Sequence, residues 1–313
     1  MARVHAALLG VQVAFATLSV AGRIIVRELD PMALTLVRLA GAATVFVALD
    51  RARRGGTEGL APMTARDRLA IAGCAALGIF GNQALFLTGL RYTTATHATL
   101  LVATIPVFTA LVSSALHILR PSSGLGEPPR ASVLVGIAVA LGGVAYLVLP
   151  DALSDEAGGD AWLGDALVTT NSFVYAIYLV LIRRYAARHG SLPVVAWGFV
   201  CGACMALPLG GPALVEDAAD LGASTWWLVA YVVLVTTVFT YLANAWALRY
   251  APSAVVATYI FVQPVVAALL AWAVLGEEPS ARLAGAATLV GVGVALVVGS
   301  QVRTARTTLT ARR

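Results

Sequence analysis

The 313-residue chain has no lysine, few acidic residues and only three cysteines. Charged residues make up 12% of it, where soluble domains carry roughly 25%. The cysteines are too few for a disulfide framework, and Cys201 and Cys204 lie in an apolar run without the strand–helix context of a redox motif. The four histidines have no metal-ligand spacing. No glycine-rich phosphate-binding motif occurs, so the sequence predicts no metal, nucleotide or other cofactor.

Hydrophobic residues make up 59% of the chain, and its mean hydropathy is +0.86. Ten continuously apolar runs are long enough to cross a hydrocarbon layer of roughly 30 Å as helices. Barrel strands would instead alternate apolar and polar residues over about ten positions. The sequence therefore predicts an all-α integral membrane protein with spans at residues 4–22, 32–49, 69–90, 96–119, 131–149, 163–182, 193–213, 226–248, 253–275 and 283–300.

Arginine placement predicts how these spans are oriented. If the amino terminus is cytoplasmic, 16 of the 21 basic residues fall in cytoplasmic segments, four fall outside, and Arg38 lies within the second span. This asymmetry follows the positive-inside rule, so both termini are expected in the cytoplasm. The net charge of +5 then reflects topology, and no nucleic-acid partner is expected.

Two segments of the sequence are near-copies of each other. Leu90-Arg91-Tyr92 recurs as Leu248-Arg249-Tyr250, and Pro106-Val107 recurs as Pro264-Val265 at the same offset of 158 residues. That offset is about half of the chain, so a whole half is repeated. Five helices per half is an odd number, which predicts an inverted repeat: residues 1–150, residues 151–300, and a basic cytoplasmic tail at 301–313. This pattern is typical of secondary transporters.

These features together resemble a known family. Leu90-Arg91-Tyr92 before a small-residue segment and Pro106, Arg38 early in the second span, and Tyr175-Ala176-Ile177-Tyr178 before Arg183-Arg184 are similar to the EamA-type branch of the drug/metabolite transporter superfamily. The resemblance covers nearly the whole chain. It implies a multi-pass plasma-membrane protein that exports small polar or amphipathic metabolites, such as amino acids, by alternating access.

Polar side chains within the spans are the candidate binding residues. Because they are costly in a bilayer, they must face the bundle or a wet cavity. Asn171, Tyr175 and Tyr178 share one helical face, and so do Thr237, Tyr241 and Asn244. Interhelical hydrogen bonding that holds the bundle together is the alternative role. The expected substrate-binding residues are Gln12, Arg38, Asn82, Gln83, His97, Asn171, Tyr175, Tyr178, Tyr241, Asn244, Tyr259 and Gln263.

Arg38 allows two interpretations. Six residues into its span at 1.5 Å each, its backbone lies about 9 Å below the outer surface, within reach of water for a long side chain. It could extend to water or to loop carbonyls. Alternatively, it could clamp an anionic group such as a substrate carboxylate at the outward mouth.

Pro106 and Pro264 occupy equivalent positions inside predicted helices. Proline removes a backbone donor and frees the carbonyl four residues earlier, so both helices should bend. Paired bends at equivalent positions favour gating hinges, and static kinks that serve packing are the alternative.

Other functions make different demands on the sequence. An intramembrane enzyme acting on a lipid-linked substrate would need acid–base groups, but Asp50, Asp165 and Glu277 lie at span edges. A channel or an interaction subunit fits less well with the paired prolines. We therefore expect a secondary transporter for a small-molecule substrate, as a monomer or homodimer. His97 is the deepest titratable side chain on the outer half, and proton coupling and uniport both stay open.

Overall fold

A computed structural model of the chain describes residues 2–53, 62–121, 128, 130–153, 160–247, 259, 262–278 and 280–310. Within these ranges the protein is helical and contains no strand. The second copy of the Leu-Arg-Tyr motif, at residues 248–250, and the start of the predicted ninth span lie outside the described residues.

The described helices follow the ten predicted spans in order. Nine are long and apolar enough to cross a membrane, and α9 has 14 residues within the described part. The predicted all-α membrane fold is confirmed. The helices are α1 (Ala2–Ile25), α2 (Pro31–Arg53), α3 (Ala65–Tyr92), α4 (Ala95–Leu119), α5 (Ala131–Leu153), α6 (Ala161–His189), α7 (Ser191–Asp217), α8 (Ala223–Tyr231, Val232–Phe239 and Thr240–Ala247), α9 (Val262–Leu275) and α10 (Ala281–Thr310).

Three helices depart from regular α geometry. Ala76–Gly81 in α3 and Val232–Phe239 in α8 are π-helical, and α3 and α8 are the third helices of the two predicted halves. The wider π turn shifts the faces of the residues that follow it. Helix α4 is broken at Ala103 and Thr104 into a first segment, Ala95–Val102, and a second segment, Ile105–Leu119. The tenth helix also continues to Thr310, beyond its predicted end at residue 300.

Helices α1 and α6 each pack against four other helices. The most extensive pairings join α2 to α7 and α5 to α10. Helix α6 packs against α3, α4, α5 and α7, while α1 packs against α3, α4, α8 and α9. Side chains on α6 and α8 that face inward can therefore meet the neighbouring helices inside the membrane region.

Polar contacts mark the two ends of the bundle. At one end, called the Asp165 end, Glu277 Oε1 accepts a hydrogen bond from the Ala95 backbone N–H at 2.9 Å, and the Thr225 hydroxyl donates to Glu28 at 2.5 Å. At the other, the Asp67 end, Thr64 and Asp67 form a capping box at the start of α3. The arginine distribution predicts that the Asp165 end faces outside.

The contact between α5 and α10 leaves no room for a side chain at Gly293. A methyl group there would lie 2.5 Å from the Gly136 carbonyl oxygen and 2.6 Å from the Ala140 amide nitrogen, whereas one at Gly291 would meet nothing within 4 Å. We expect Gly293→Ala to destabilise the protein by about 1–3 kcal/mol, the usual effect of overpacking. Gly291→Ala should be neutral or slightly stabilising, because alanine favours helix by up to about 1 kcal/mol. Thermal unfolding in detergent compares the two, and equal effects would contradict the assigned contact.

Candidate functional site

Arg38 lies inside the bundle. The residue is 4% exposed, and its Nη2 donates a hydrogen bond to Thr237 Oγ1 at 3.1 Å. Its Nε has no partner within the described part of the chain. The interpretation in which Arg38 extends to water is therefore wrong, since the guanidinium turns toward α8.

The π-helical part of α8 brings Thr237 to Arg38. The Thr237 hydroxyl donates to the carbonyl of Val232, five residues earlier, which is the π-helical spacing. The two helices also approach closely here, because a methyl group at Gly41 would lie 2.7 Å from Val233 Cγ1. A glycine one turn after Arg38 thus allows α2 and α8 to meet.

Tyr241 lies beside this arginine, and Tyr175 and Tyr178 extend the cluster from Tyr241. Tyr175 and Tyr178 of α6 stack with ring centroids 5.6 Å apart. The Tyr175 hydroxyl lies close enough to the Tyr241 hydroxyl of α8 to interact with it electrostatically. The Tyr241 ring meets Phe46 edge-on at 5.7 Å and Phe199 at 5.4 Å. The predicted polar faces of α6 and α8 therefore meet.

The Tyr178 ring packs directly on the π-helical part of α3. A methyl group at Gly78 would lie 1.9 Å from Tyr178 Cγ, so glycine is needed at this position. The tyrosine–arginine cluster, which we define as Arg38, Tyr175, Tyr178, Thr237 and Tyr241, is thus positioned by α2, α6 and α8 and supported by α3.

The tyrosine–arginine cluster holds a positive charge among neutral groups. Within the described residues, the recorded partners of Arg38 are the Thr237 hydroxyl and, by electrostatic interaction, Tyr241. A buried guanidinium without a carboxylate is unfavourable, because its lost hydration is only partly replaced. It can instead bind a carboxylate through two parallel N–H bonds. The partly exposed rings of Tyr175 and Tyr241 offer apolar surface for the rest of such a ligand.

The other predicted residues fall into several separate places. Asn171 Nδ2 donates to the Asn82 backbone carbonyl at 2.6 Å, which joins α6 to α3 as interhelical bonding would. Gln12, Gln83 and Asn244 each have a buried side-chain oxygen without a partner in the described residues. Gln263 is 7% exposed on α9. Tyr259 bonds His5 at 2.5 Å and is not seen to join the tyrosine–arginine cluster.

His97 pairs with a residue that the sequence analysis placed at a span edge. His97 Nδ1 lies 3.0 Å from Asp165 Oδ2, and the Thr93 hydroxyl donates to the other carboxylate oxygen. Asp165 is fully buried although it is only four residues into α6. Its position at the edge of the span is as predicted, but its burial was not predicted. The neighbouring Gly164 is the feature of the sequence that could have indicated this burial, because it allows a close helix contact: a methyl group there would lie 2.8 Å from the Gly89 carbonyl oxygen.

Pro106 begins a helical segment, whereas Pro264 lies where the described part of α9 begins. Pro106 is in the first turn of the second segment of α4, where its missing N–H sacrifices no helical bond. The helix breaks just before it, where the Thr104 hydroxyl donates to the Leu101 carbonyl at 2.5 Å. Pro264 is the third residue of α9, and residues 260 and 261 lie outside the described part. The paired hinges stay a prediction.

The fold and its buried polar cluster define a class, the polytopic membrane transporters. The sequence model of the EamA-like transporter family matches residues 3–149 and again residues 162–299. The chain belongs to the EamA-like transporter family. It is a multi-pass membrane transporter of a small-molecule substrate and not an enzyme.

Similar proteins agree with this family. An uncharacterized transporter of Archaeoglobus fulgidus is 26% identical over 268 residues, or 85% of this chain and 88% of its own. A probable terminal-alkyne amino-acid exporter of Streptantibioticus cattleyicolor is 28% identical over 241 residues, 76% of each chain. A solved crystal structure shares the fold, with a TM-score of 0.59 and 19% identity over 95% of this chain and 97% of its own.

Proposed function

We propose that the protein is a secondary transporter that exports amino-acid-like carboxylates by alternating access. The observation that carries this proposal is the guanidinium of Arg38, which is buried and has no carboxylate partner among the described residues. Charged side chains inside membrane bundles are rare and mark substrate or ion pathways. A substrate carboxylate would supply the missing negative charge.

The surroundings of Arg38 favour a small amphipathic ligand. The hydroxyl groups of Thr237 and Tyr241 can accept or donate hydrogen bonds, while the partly exposed rings of Tyr175 and Tyr241 offer apolar surface. An amino acid combines a carboxylate, an amine and a side chain in one small molecule. The Streptantibioticus cattleyicolor relative described as an amino-acid exporter supports the same substrate class.

Several features support alternating access through two inverted halves. The family model matches the chain twice, and the π-helical parts occur in the third helix of each half. In this scheme each helix of the first half corresponds to the helix five positions later. The α3–α6 pairing then corresponds to the α8–α1 pairing, while α2–α7 and α5–α10 each correspond to themselves, and all of these pairings occur. Such pseudosymmetry is the usual basis for opening a central site to either side in turn.

We further propose a plasma-membrane location with both termini in the cytoplasm. Sixteen of the 21 arginines lie on that side in this arrangement. Labelling of a cysteine at position 60 from outside intact cells would contradict the orientation and, with it, the outward direction assigned to the Asp165 end.

Counterflow in proteoliposomes tests the substrate class. Vesicles loaded with unlabelled amino acids should accumulate the labelled form, and three matched compounds should separate the contribution of the carboxylate: an amino acid, its amide and its decarboxylated amine. We expect exchange of the amino acid to exceed that of the other two by about tenfold or more, since a lost charge-assisted bond is worth about 1.5–3 kcal/mol.

Two results would overturn the proposal. Equal exchange of all three compounds would show that the protein does not recognise the carboxylate. Downhill flux without any counterflow would favour a channel, because a channel does not trap labelled substrate against its gradient.

A further inference from the structure

The carboxylate of Asp165 is closed off from solvent, whereas the imidazole of His97 beside it is partly exposed. The Asp165 side chain is 1% exposed, while the His97 side chain is 17% exposed. Their contact is a 3.0 Å approach of Nδ1 to Oδ2, and Thr93 donates a hydrogen bond to the same carboxylate. The imidazole is therefore the more accessible member of the pair.

This pair is electrically balanced only when the imidazole is protonated. A buried carboxylate is costly unless it is paired and hydrogen-bonded. Histidine is the side chain whose charge ordinarily changes between pH 5 and 8. Loss of the imidazole proton would leave one hydrogen bond in place of an ion pair and so would weaken the contact.

The pair attaches a short, separate piece of helix to α6. The first segment of α4, Ala95–Val102, has eight residues and ends at the helix break. His97 holds its beginning to Asp165, and the Ser172 hydroxyl of α6 donates to the Leu101 carbonyl near its end at 3.1 Å. With the break behind it, this segment can move apart from the second segment of α4.

We propose that His97 and Asp165 form a proton-binding site that closes the Asp165 end of the transporter. With the proton bound, the first segment of α4 is held on α6 and the end is closed. Without it, the segment is released and the end opens more readily. This goes beyond the proposed export function, because it assigns a second ligand, the proton, to a different place in the bundle.

The other charged groups at this end differ from the pair in chemistry. Glu277 accepts hydrogen bonds from the Ala95 and Thr96 backbone and so holds the same segment, but ordinary carboxylates and guanidinium groups keep their charge between pH 5 and 8. They should therefore give a constant contribution. Near this end, the elements that pack against the first segment carry these charged residues: Arg23 on α1, Arg91 on α3, Asp160 and Asp165 at the start of α6, Glu277 and Glu278 after α9, and Arg282 on α10.

Amide hydrogen exchange of the purified full-length chain tests this site without any substrate. Exchange of the first segment would be followed from pH 5 to 8, corrected for intrinsic rates, with the second segment of α4 as an internal reference. We expect the first segment to exchange at least about fivefold faster at the alkaline end, the low end of typical coupling between sites. Asp165→Asn and His97→Gln should remove this pH dependence.

Matched variants keep the result specific. Asp160→Asn removes an exposed carboxylate at the start of the same helix, and His117→Gln removes a histidine from the second segment; both should keep the wild-type profile. Thr93→Val removes a neutral hydrogen bond to Asp165 and should shift the midpoint in pH, which a purely structural role would not do. The wild-type and Thr93→Val profiles decide the matter even if Asp165→Asn does not fold.

A flat wild-type profile, or the same profile in Asp165→Asn, would overturn the proton site. Neither result would touch the export function, which is judged by counterflow. In reconstituted vesicles, a working site predicts faster counterflow as pH rises on the side of His97 alone, and equal dependence on pH at both faces would also contradict the assignment.

Discussion

Arg38→Gln should reduce amino-acid counterflow by about ten- to 100-fold, because a hydrogen-bonded charge is worth about 1.5–3 kcal/mol and each 1.4 kcal/mol is a factor of ten. Glutamine keeps part of the length and hydrogen-bonding capacity but loses the positive charge. The substrate carboxylate would then enter a buried site with no countercharge. Counterflow of the amino acid, its amide and its amine on the same vesicles measures both the loss and the change in selectivity.

Arg38→Lys separates charge from geometry. Lysine keeps the charge but lacks the planar fork that binds a carboxylate through two bonds, so it should retain part of the activity. Arg27→Gln is the matched control, because Arg27 is an exposed arginine at the Asp165 end. Its loss should leave the selectivity unchanged.

The selectivity also tells a binding role from a structural one. If Arg38 mainly holds α2 to α8 through Thr237, Arg38→Gln should lower the amount of folded protein while the surviving fraction still prefers the amino acid over its amide. If Arg38 binds the carboxylate, the folded variant should treat the two compounds alike. A variant that kept its preference would contradict the carboxylate site.

The sequence was a good guide to the tyrosine–arginine cluster where helices are regular. Tyr175 and Tyr178 share the face that meets α8, as the 3.6-residue period predicted, since α6 is a continuous helix. Tyr241 also reaches this face. Arg38 could be recognised as a candidate because a charged side chain within a span is costly, but its contact with Thr237 could not be predicted.

Where the backbone departs from regular helix, side-chain positions could not be predicted from the sequence, for a physical reason. The π-helical parts of α3 and α8 follow from how helices pack, and residues such as Val232 and Ala76 carry no local signal of a wider turn. Hence the contact of Thr237 with Arg38 and the packing of Tyr178 on Gly78 were invisible.

Depth along a span was likewise a poor guide to burial. Asp165 lies near the end of α6, where a residue on the lipid or loop side would be exposed, but the close approach of Gly89 and Gly164 buries it against Thr93. Burial at a helix end depends on which face meets a neighbouring helix. A single sequence does not specify that face when most residues are apolar.

The break in α4 gives the duplicated prolines a defined structural role to test. In Pro106→Ala, the new backbone N–H could bond to the Val102 carbonyl four residues earlier and let the two segments of α4 join. In Pro264→Ala, the start of α9 would gain the same donor. If the two helices gate opposite sides, one variant should favour the outward-open state and the other the inward-open state.

Reporter cysteines can detect such opposite shifts. In a background without Cys74, Cys201 and Cys204, a cysteine would replace Gln83, toward the Asp165 end of α3, or Asn244, toward the Asp67 end of α8. An impermeant maleimide added to one side of the vesicles at a time reports access from that side. We expect the two proline variants to change the ratio of the labelling rates from the two sides in opposite directions, by at least about fivefold if the coupling is typical.

A third proline provides the control for a general effect on helix stability. Pro208 lies inside α7 and is exposed, with no duplicated partner, so Pro208→Ala should leave the sidedness of labelling unchanged. Static kinks would give a different outcome for the pair: Pro106→Ala and Pro264→Ala would both change thermal stability, and neither would change which side reaches the reporter. Parallel changes of that kind would remove the gating role from α4 and α9, while the carboxylate site at Arg38 would stand on its own test.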